Sequence, residues 1–193
     1  MDNTKTYCFG RYLIDIPVSA QINGQAYEYI FGRLDTLRAS DDIAIIKENS
    51  EKIINTLKTT NPESGYTYDS TISPNIKSKI IVSVSRPYGR QNFGFDMLRE
   101  DGNILFSMKE RSFQESIFLK EVLPTVKSKV IPNLHARKSD DIPAQPGFCL
   151  KDGFIADDGT TPQYENAGMS FKFPQWPGIV ITVSASTTTK AGE

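Results

Sequence analysis

The chain holds one histidine, one tryptophan and two cysteines in 193 residues, and each scarcity closes off some chemistry. A single imidazole, His135, leaves no His-x-x-x-His spacing, and two cysteines far apart in sequence form no CxxC pair, so no metal site is expected. Nucleophilic hydrolysis needs a Ser, Cys or Thr beside a base and an orienting acid. His135 sits in a polar stretch with Asn133, Leu134 and Arg137, the setting of a solvated imidazole. No Gly-x-Ser-x-Gly elbow occurs. The glycines from Gly89 to Gly94 and from Gly147 to Gly153 lack the strand-to-helix context of a phosphate cradle. The residues give no catalytic set and imply no cofactor.

Charge of one sign is lacking too. Twenty-two Lys and Arg face 23 Asp and Glu, a formal net charge of -1, which leaves no basic field for displacing the counterions of a nucleic acid. No apolar run approaches the ~20 residues that span a bilayer, so membrane insertion is not expected. Met1-Asp2-Asn3-Thr4-Lys5 is followed by no apolar signal core, so the protein is either cytoplasmic or has lost a leader. The acidic pairs Asp41-Asp42, Asp140-Asp141 and Asp157-Asp158 read as caps and solvated turns in preference to acid-base pairs. Hydrophobic residues at 38% and charged residues at 23% suit an ordinary soluble core, in one large domain or two small ones.

Patterning then supplies the elements. Residues 7–16 are aromatic and β-branched and stop at Pro17, reading as a strand in which Gly10 marks a bulge or close backbone packing. A second strand is expected over 25–37, with Tyr27, Tyr29 and Phe31 on one side. Ser40-Asp41-Asp42 caps an amphipathic helix over 41–59, whose apolar face is Ile43, Ile46, Ile53, Ile54 and Leu57. Strands follow at 66–72, 78–86, 92–99 and 103–109, the last two joined by the hairpin signal Asp101-Gly102. A helix over 115–130 is interrupted by Pro124, where it kinks or restarts. Residues 132–147 are polar, proline-bearing and aperiodic, the composition of a linker or surface strap. Three short strands are expected beyond it, at 148–156, 167–173 and 179–186.

The fold class expected is α+β: a mainly antiparallel sheet with two helices on one face, followed by a small β-rich unit. The domain reading is an N-terminal α+β domain over 1–138, a linker over 139–147 and a β-rich unit over 148–193. Three strands in that last segment are too few to bury two faces unaided, so it either completes the first sheet or begins a further domain.

Two segments stand apart from this pattern because they hold both cysteines: Tyr7-Cys8-Phe9-Gly10-Arg11-Tyr12-Leu13-Ile14-Asp15-Ile16-Pro17, and Ile142-Pro143-Ala144-Gln145-Pro146-Gly147-Phe148-Cys149-Leu150-Lys151-Asp152-Gly153. The pairing of a Cys-Phe-Gly-Arg start with a later Ile-Pro-x-x-Pro-Gly-Phe-Cys resembles the immunity proteins that neutralise type VI secreted lipase effectors. The order of elements places the middle of the chain with them. The resemblance implies a protein that inhibits a cognate phospholipase by stoichiometric binding, blocking its substrate access or lid, and is not an enzyme. It also implies a periplasmic location with the leader removed, and a 148–193 unit that is the partial start of a C-terminal domain. Cys8 and Cys149 are then candidates for a disulfide, against the plainer reading of two separate buried thiols. A cytoplasmic adaptor or chaperone escorting a secreted effector is the alternative, and it would keep both thiols reduced. Nothing in the residues sets an oligomeric state.

Binding needs exposed anchors, and interface hot spots favour Trp, Tyr and Arg. Arg86, Tyr88 and Arg90 share the loop Arg86-Pro87-Tyr88-Gly89-Arg90, and Trp176 lies in Phe173-Pro174-Gln175-Trp176-Pro177-Gly178. These four are the candidate effector contacts. The competing readings are an ordinary turn for the first loop and a core plug for Trp176.

Overall fold

Gly10 is a turn and not a bulge. In a computed structural model of the protein, which describes residues 3–38, 45–138 and 140–187, the opening strand is an antiparallel hairpin of β1 (Thr4–Phe9) and β2 (Tyr12–Pro17) with Phe9 opposite Tyr12. Gly10 reverses the chain at φ +55, a left-handed conformation that suits glycine, and a Cβ there would lie 2.9 Å from that of Ala167. The second expected strand also divides, into β3 (Gln21–Tyr29) and β4 (Gly32–Arg38), with Tyr29 opposite Gly32. Ile30 takes the left-handed turn position at φ 50, and its N–H donates to the Tyr164 carbonyl at 2.8 Å. Nothing about Ile30 advertises a turn, which is why the sequence reads through it.

By compactness the chain forms two units, one of residues 1–35 with 133–193 and one of residues 36–132. In the second, helix α1 (Ile45–Lys58) is followed by β5 (Thr67–Asn75), β6 (Ser78–Ser85), β7 (Asn92–Asp101) and β8 (Ile104–Phe113), an antiparallel meander in the order β8-β7-β6-β5. Gly102, at φ 58, makes the β7–β8 turn. The expected start of the helix, with Ser40, Asp41, Asp42 and Ile43, lies outside the described residues. Ile46 and Leu57 of α1 are buried in a cluster with Ile81, Leu98 and Leu105, while Ile53 and Ile54 are partly buried beside it.

The helical run α2, residues 115–133, alternates short α-helical pieces with π-helical turns at Phe118–Val122 and Val126–Val130. Pro124 and Pro132 have no N–H for the carbonyl four residues back, and wider turns absorb that loss. The junction residues Phe118, Leu123, Val126 and Ile131 all keep right-handed helical angles, so the run continues through Pro124.

The two helices do not share a face as the sequence reading supposed. Register sets Ile81 opposite Asp96, on the same side as Leu98 and α1, whereas Val84, Val82 and Ile80 pair with Phe93, Phe95 and Met97 on the other side. Phe118 of α2 stacks on Phe93 with ring centroids 5.2 Å apart. Both faces of this sheet are therefore covered, which explains the near-continuous burial of β6.

The remaining strands belong to the first unit. Leu134–Ala136, inside the expected linker, is β9, the edge of a small sheet ordered β10-β11-β9, with β10 (Gly147–Leu150) and β11 (Gly153–Ala156). Asp152, at φ 56, turns β10 into β11, so the expected 148–156 strand is a hairpin. Then β12 (Glu165–Lys172) pairs with β3 on one side and β13 (Val180–Thr187) on the other. In β12 the residues Glu165, Ala167, Met169 and Phe171 are buried in strict alternation. Beside that row on β3 lie Tyr27 and Tyr29, opposite Ala167 and Glu165, and Phe148 packs against both, its ring 5.2 Å from that of Tyr29. The fold class is α+β, with mainly antiparallel sheet, two helices and a small separate sheet.

Candidate functional site

Cys8 at the end of β1 and Cys149 in β10 are joined by a disulfide, their Cα atoms 5.8 Å apart across 141 residues of sequence. The backbone reinforces the same seam. Gly10 N–H donates to the Cys149 carbonyl at 2.8 Å, and Cys149 N–H returns to the Gly10 carbonyl at 2.7 Å. Gly147 is required for a different reason, since a Cβ there would fall 2.2 Å from the Ile155 carbonyl oxygen. Arg137, from the end of β9, threads the seam. Its guanidinium donates to the carbonyls of Gly153 (3.0 Å), Asp141 (2.7 Å), Lys138 (3.0 Å), Cys8 (3.2 Å) and Leu150 (3.4 Å). Burial pushes its pKa down from the ordinary arginine value. The two motif segments thus meet through backbone, sulfur and one arginine.

A second arginine organises the turn itself. Arg11 donates from Nε and Nη2 to Glu165 (2.7 and 2.5 Å) and from Nη1 and Nη2 to Asp157 (3.0 and 2.5 Å). Two carboxylates around one guanidinium leave an excess negative charge, which further donors offset. Tyr29 hydroxyl reaches Asp157 at 3.1 Å, Gln163 Nε2 reaches Glu165 at 2.7 Å, and Gly159 N–H reaches Asp157 at 2.9 Å. The Asp157 hydrogen bond is the main cause holding the Arg11 pKa above its ordinary value. For Asp157 burial pushes the carboxyl upward, but Arg11, the Gly159 N–H and Tyr29 outweigh it, and the carboxyl lies below the usual range. Burial raises the Tyr29 phenol, keeping it a neutral donor.

The sequence reading did not single out this network. In the sequence the Asp157-Asp158 pair reads as turn residues. Asp158 is one: it accepts from Thr160 N–H (2.9 Å), Thr161 N–H (2.8 Å) and the Thr161 hydroxyl (2.5 Å). The available signal was Glu165, a carboxylate at an inward position of an alternating strand, which demands a cation. Each carboxylate of the network is held by Arg11 and at least one further donor. His135 is exposed, and among the described residues no group of three His, Cys, Asp or Glu could hold a metal.

The candidate contact residues belong to different units. Arg86, Tyr88 and Arg90 belong to the second unit, in a one-turn 3-10 helix, Pro87–Gly89, between β6 and β7. All three are exposed, and the Tyr88 side chain is wholly in solvent at φ 52, ψ 34. A left-handed non-glycine residue costs on the order of 1 kcal/mol. Trp176 belongs to the first unit and is 54% exposed, its ring resting on Phe173 at 5.6 Å. It is therefore not a core plug; Phe173, buried beneath it, takes that place.

Residues 141–193 match the family model of the Tle cognate immunity protein 4 C-terminal domain. No curated protein sequence matches the chain at a significant level. The fold resembles a chain in the crystal structure of a Tle4-Tli4 complex, with TM-score 0.81 and 25% identity over 100% of this chain and 63% of that one. It also resembles the apo immunity protein TplEi of the T6SS from Pseudomonas aeruginosa, with TM-score 0.79 and 24% identity over 98% and 62%. The same immunity protein complexed with an "L" peptide gives TM-score 0.72 at 24% identity over 98% and 60%. The chain spans about three fifths of the length of these solved relatives. The family model over residues 141–193 and the fold shared with these solved immunity proteins both agree with the resemblance carried by the two cysteine segments.

Proposed function

We propose that the protein binds a cognate secreted phospholipase mole for mole and suppresses its activity, with no turnover of its own. The observation that carries this reading is a fold shared along the whole chain with a protein in the Tle4-Tli4 complex structure. A preformed surface and slow dissociation suffice for such a task, and no reactive group is required. Arg86, Tyr88, Arg90 and Trp176 are the proposed effector contacts. Residues 148–193, after a linker at 139–147, are read as the first part of a C-terminal domain, a reading supported by the family model over 141–193, and this segment packs with residues 1–35 in one compact unit. The periplasm is the proposed location, supported by a disulfide that persists in oxidising compartments. No helix among the described residues is long and apolar enough to cross a membrane.

The test is a titration of a Tle4-type secreted phospholipase, read by calorimetry and by residual lipase activity. Inhibition should saturate at an equimolar ratio. No heat and no inhibition at micromolar protein would overturn the proposal.

A further inference from the structure

Tyr88 combines two features that folding alone disfavours: left-handed backbone at a non-glycine residue and an aromatic ring entirely in water. The turn that holds it is nonetheless pinned. Arg86 N–H donates to the Pro62 carbonyl at 2.8 Å, Gly89 N–H to the Arg86 carbonyl at 3.2 Å, and Arg90 N–H to the Pro87 carbonyl at 3.1 Å. Pro87 presets its own φ, and Gly89 takes a second left-handed position at φ 76. The ring is held out by a built turn. Arg86 and Arg90 flank it, both exposed, and neither guanidinium has an ion pair or side-chain hydrogen bond among the described residues. Glu63 lines the hollow at the foot of the ring together with Arg86, Pro87 and Gly89.

We propose that this turn is a preformed anchor for an acidic protein surface: the Tyr88 ring enters an apolar recess of the partner while Arg86 and Arg90 clamp carboxylates on its rim. The inference rests on the immunity reading and names the chemistry of the effector face that meets this loop. Guanidinium forks match carboxylates with two parallel hydrogen bonds. A ring already fixed in its bound position loses little freedom on association. Two arginines in a chain of net charge -1 do not make the extended basic track that a nucleic acid requires, which leaves carboxylates on a protein as the matching charge.

The experiment is a kinetic binding series against the same Tle4-type phospholipase at several salt concentrations. Tyr88→Ala should weaken the complex at least about 10-fold, chiefly by faster dissociation. Tyr88→Gly, which keeps the left-handed turn and removes only the ring, should weaken it equally. The double variant Arg86→Gln/Arg90→Gln should slow association at low salt and flatten its salt dependence. Melting curves of all variants should match the parent. If the parent binds and the variants bind like it with an unchanged salt slope, the anchor is overturned and the immunity reading stands. Parent-like binding by Tyr88→Gly with weak binding by Tyr88→Ala would also overturn it, assigning the loss to the turn. A parent that does not bind the lipase would remove both readings.

Discussion

Arg11 and Asp157 illustrate how a charge inside a sheet-lined layer is tolerated only with partners. Asp157 carries a depressed pKa, so its ionised form is bound more favourably in the folded state. That contribution is fully present above the unfolded carboxylate value of about 3.9 and is lost as pH falls through the lower folded value. Urea denaturation at pH 7 and pH 3 should therefore show the parent losing more stability on acidification than Asp157→Asn. Equal losses would mean that the ion pair adds nothing to the acid response. Part of the network was readable in advance. Glu165 breaks an apolar alternation, which signals a partner, but the identity of that partner lies 154 residues away at Arg11.

At the scale of elements, alternation and helical spacing carried far, and turns less so. The β5 to β8 meander follows the expected strand order because each run is β-branched or aromatic and Asp101-Gly102 names its hairpin. Gly10, Ile30 and Asp152 instead reverse the chain inside apparent strands, because positive φ at a single residue leaves little trace in composition. The turn at Gly10 can be tested directly. Gly10→Ala adds a Cβ 2.9 Å from Ala167 at φ +55, and should cost about 1–3 kcal/mol in chemical denaturation; no measurable loss would show that the hairpin relaxes around it. In α1, depth of burial grades the face. Leu57 is buried in the Ile81, Leu98 and Leu105 cluster, so Leu57→Ala should cost about 2–5 kcal/mol. Ile54, packed against the cluster but only partly buried, should cost clearly less, and the reverse ranking would show that the face is misassigned.

For the molecule as a whole, one covalent tie spans most of the chain. The Cys8–Cys149 bond closes a loop across 141 residues, which on the chain-entropy account stabilises by at most about 5 kcal/mol. Adding reductant to the parent, or replacing both cysteines with serine, should lower the unfolding free energy toward that limit. The denaturant slope should rise as the unfolded chain expands. An unchanged midpoint would mean that the backbone bridge at Gly10 and the Arg137 fork hold the seam unaided. The tie lies within the unit formed by residues 1–35 and 133–193, so that unit depends on chain ends distant in sequence.

The sequence by itself determined the α+β class, the two helices and most strand positions, because those depend on local periodicity and on which residue types are present. Its two cysteine segments also carried the family resemblance. Tertiary structure decided what long-range contact alone can decide. Register placed α1 and α2 on opposite faces of the sheet, since neighbouring residues on a strand point opposite ways and only the packed partner reveals which way is covered. It drew β9 out of an apparent linker, because Leu134 becomes a strand residue only when Ile155 lies opposite it. It also assigned Trp176 and the Arg86 to Arg90 loop to different units and set Tyr88 in a left-handed turn. Composition records that an aromatic is present; only the surrounding fold determines whether water or protein meets its ring.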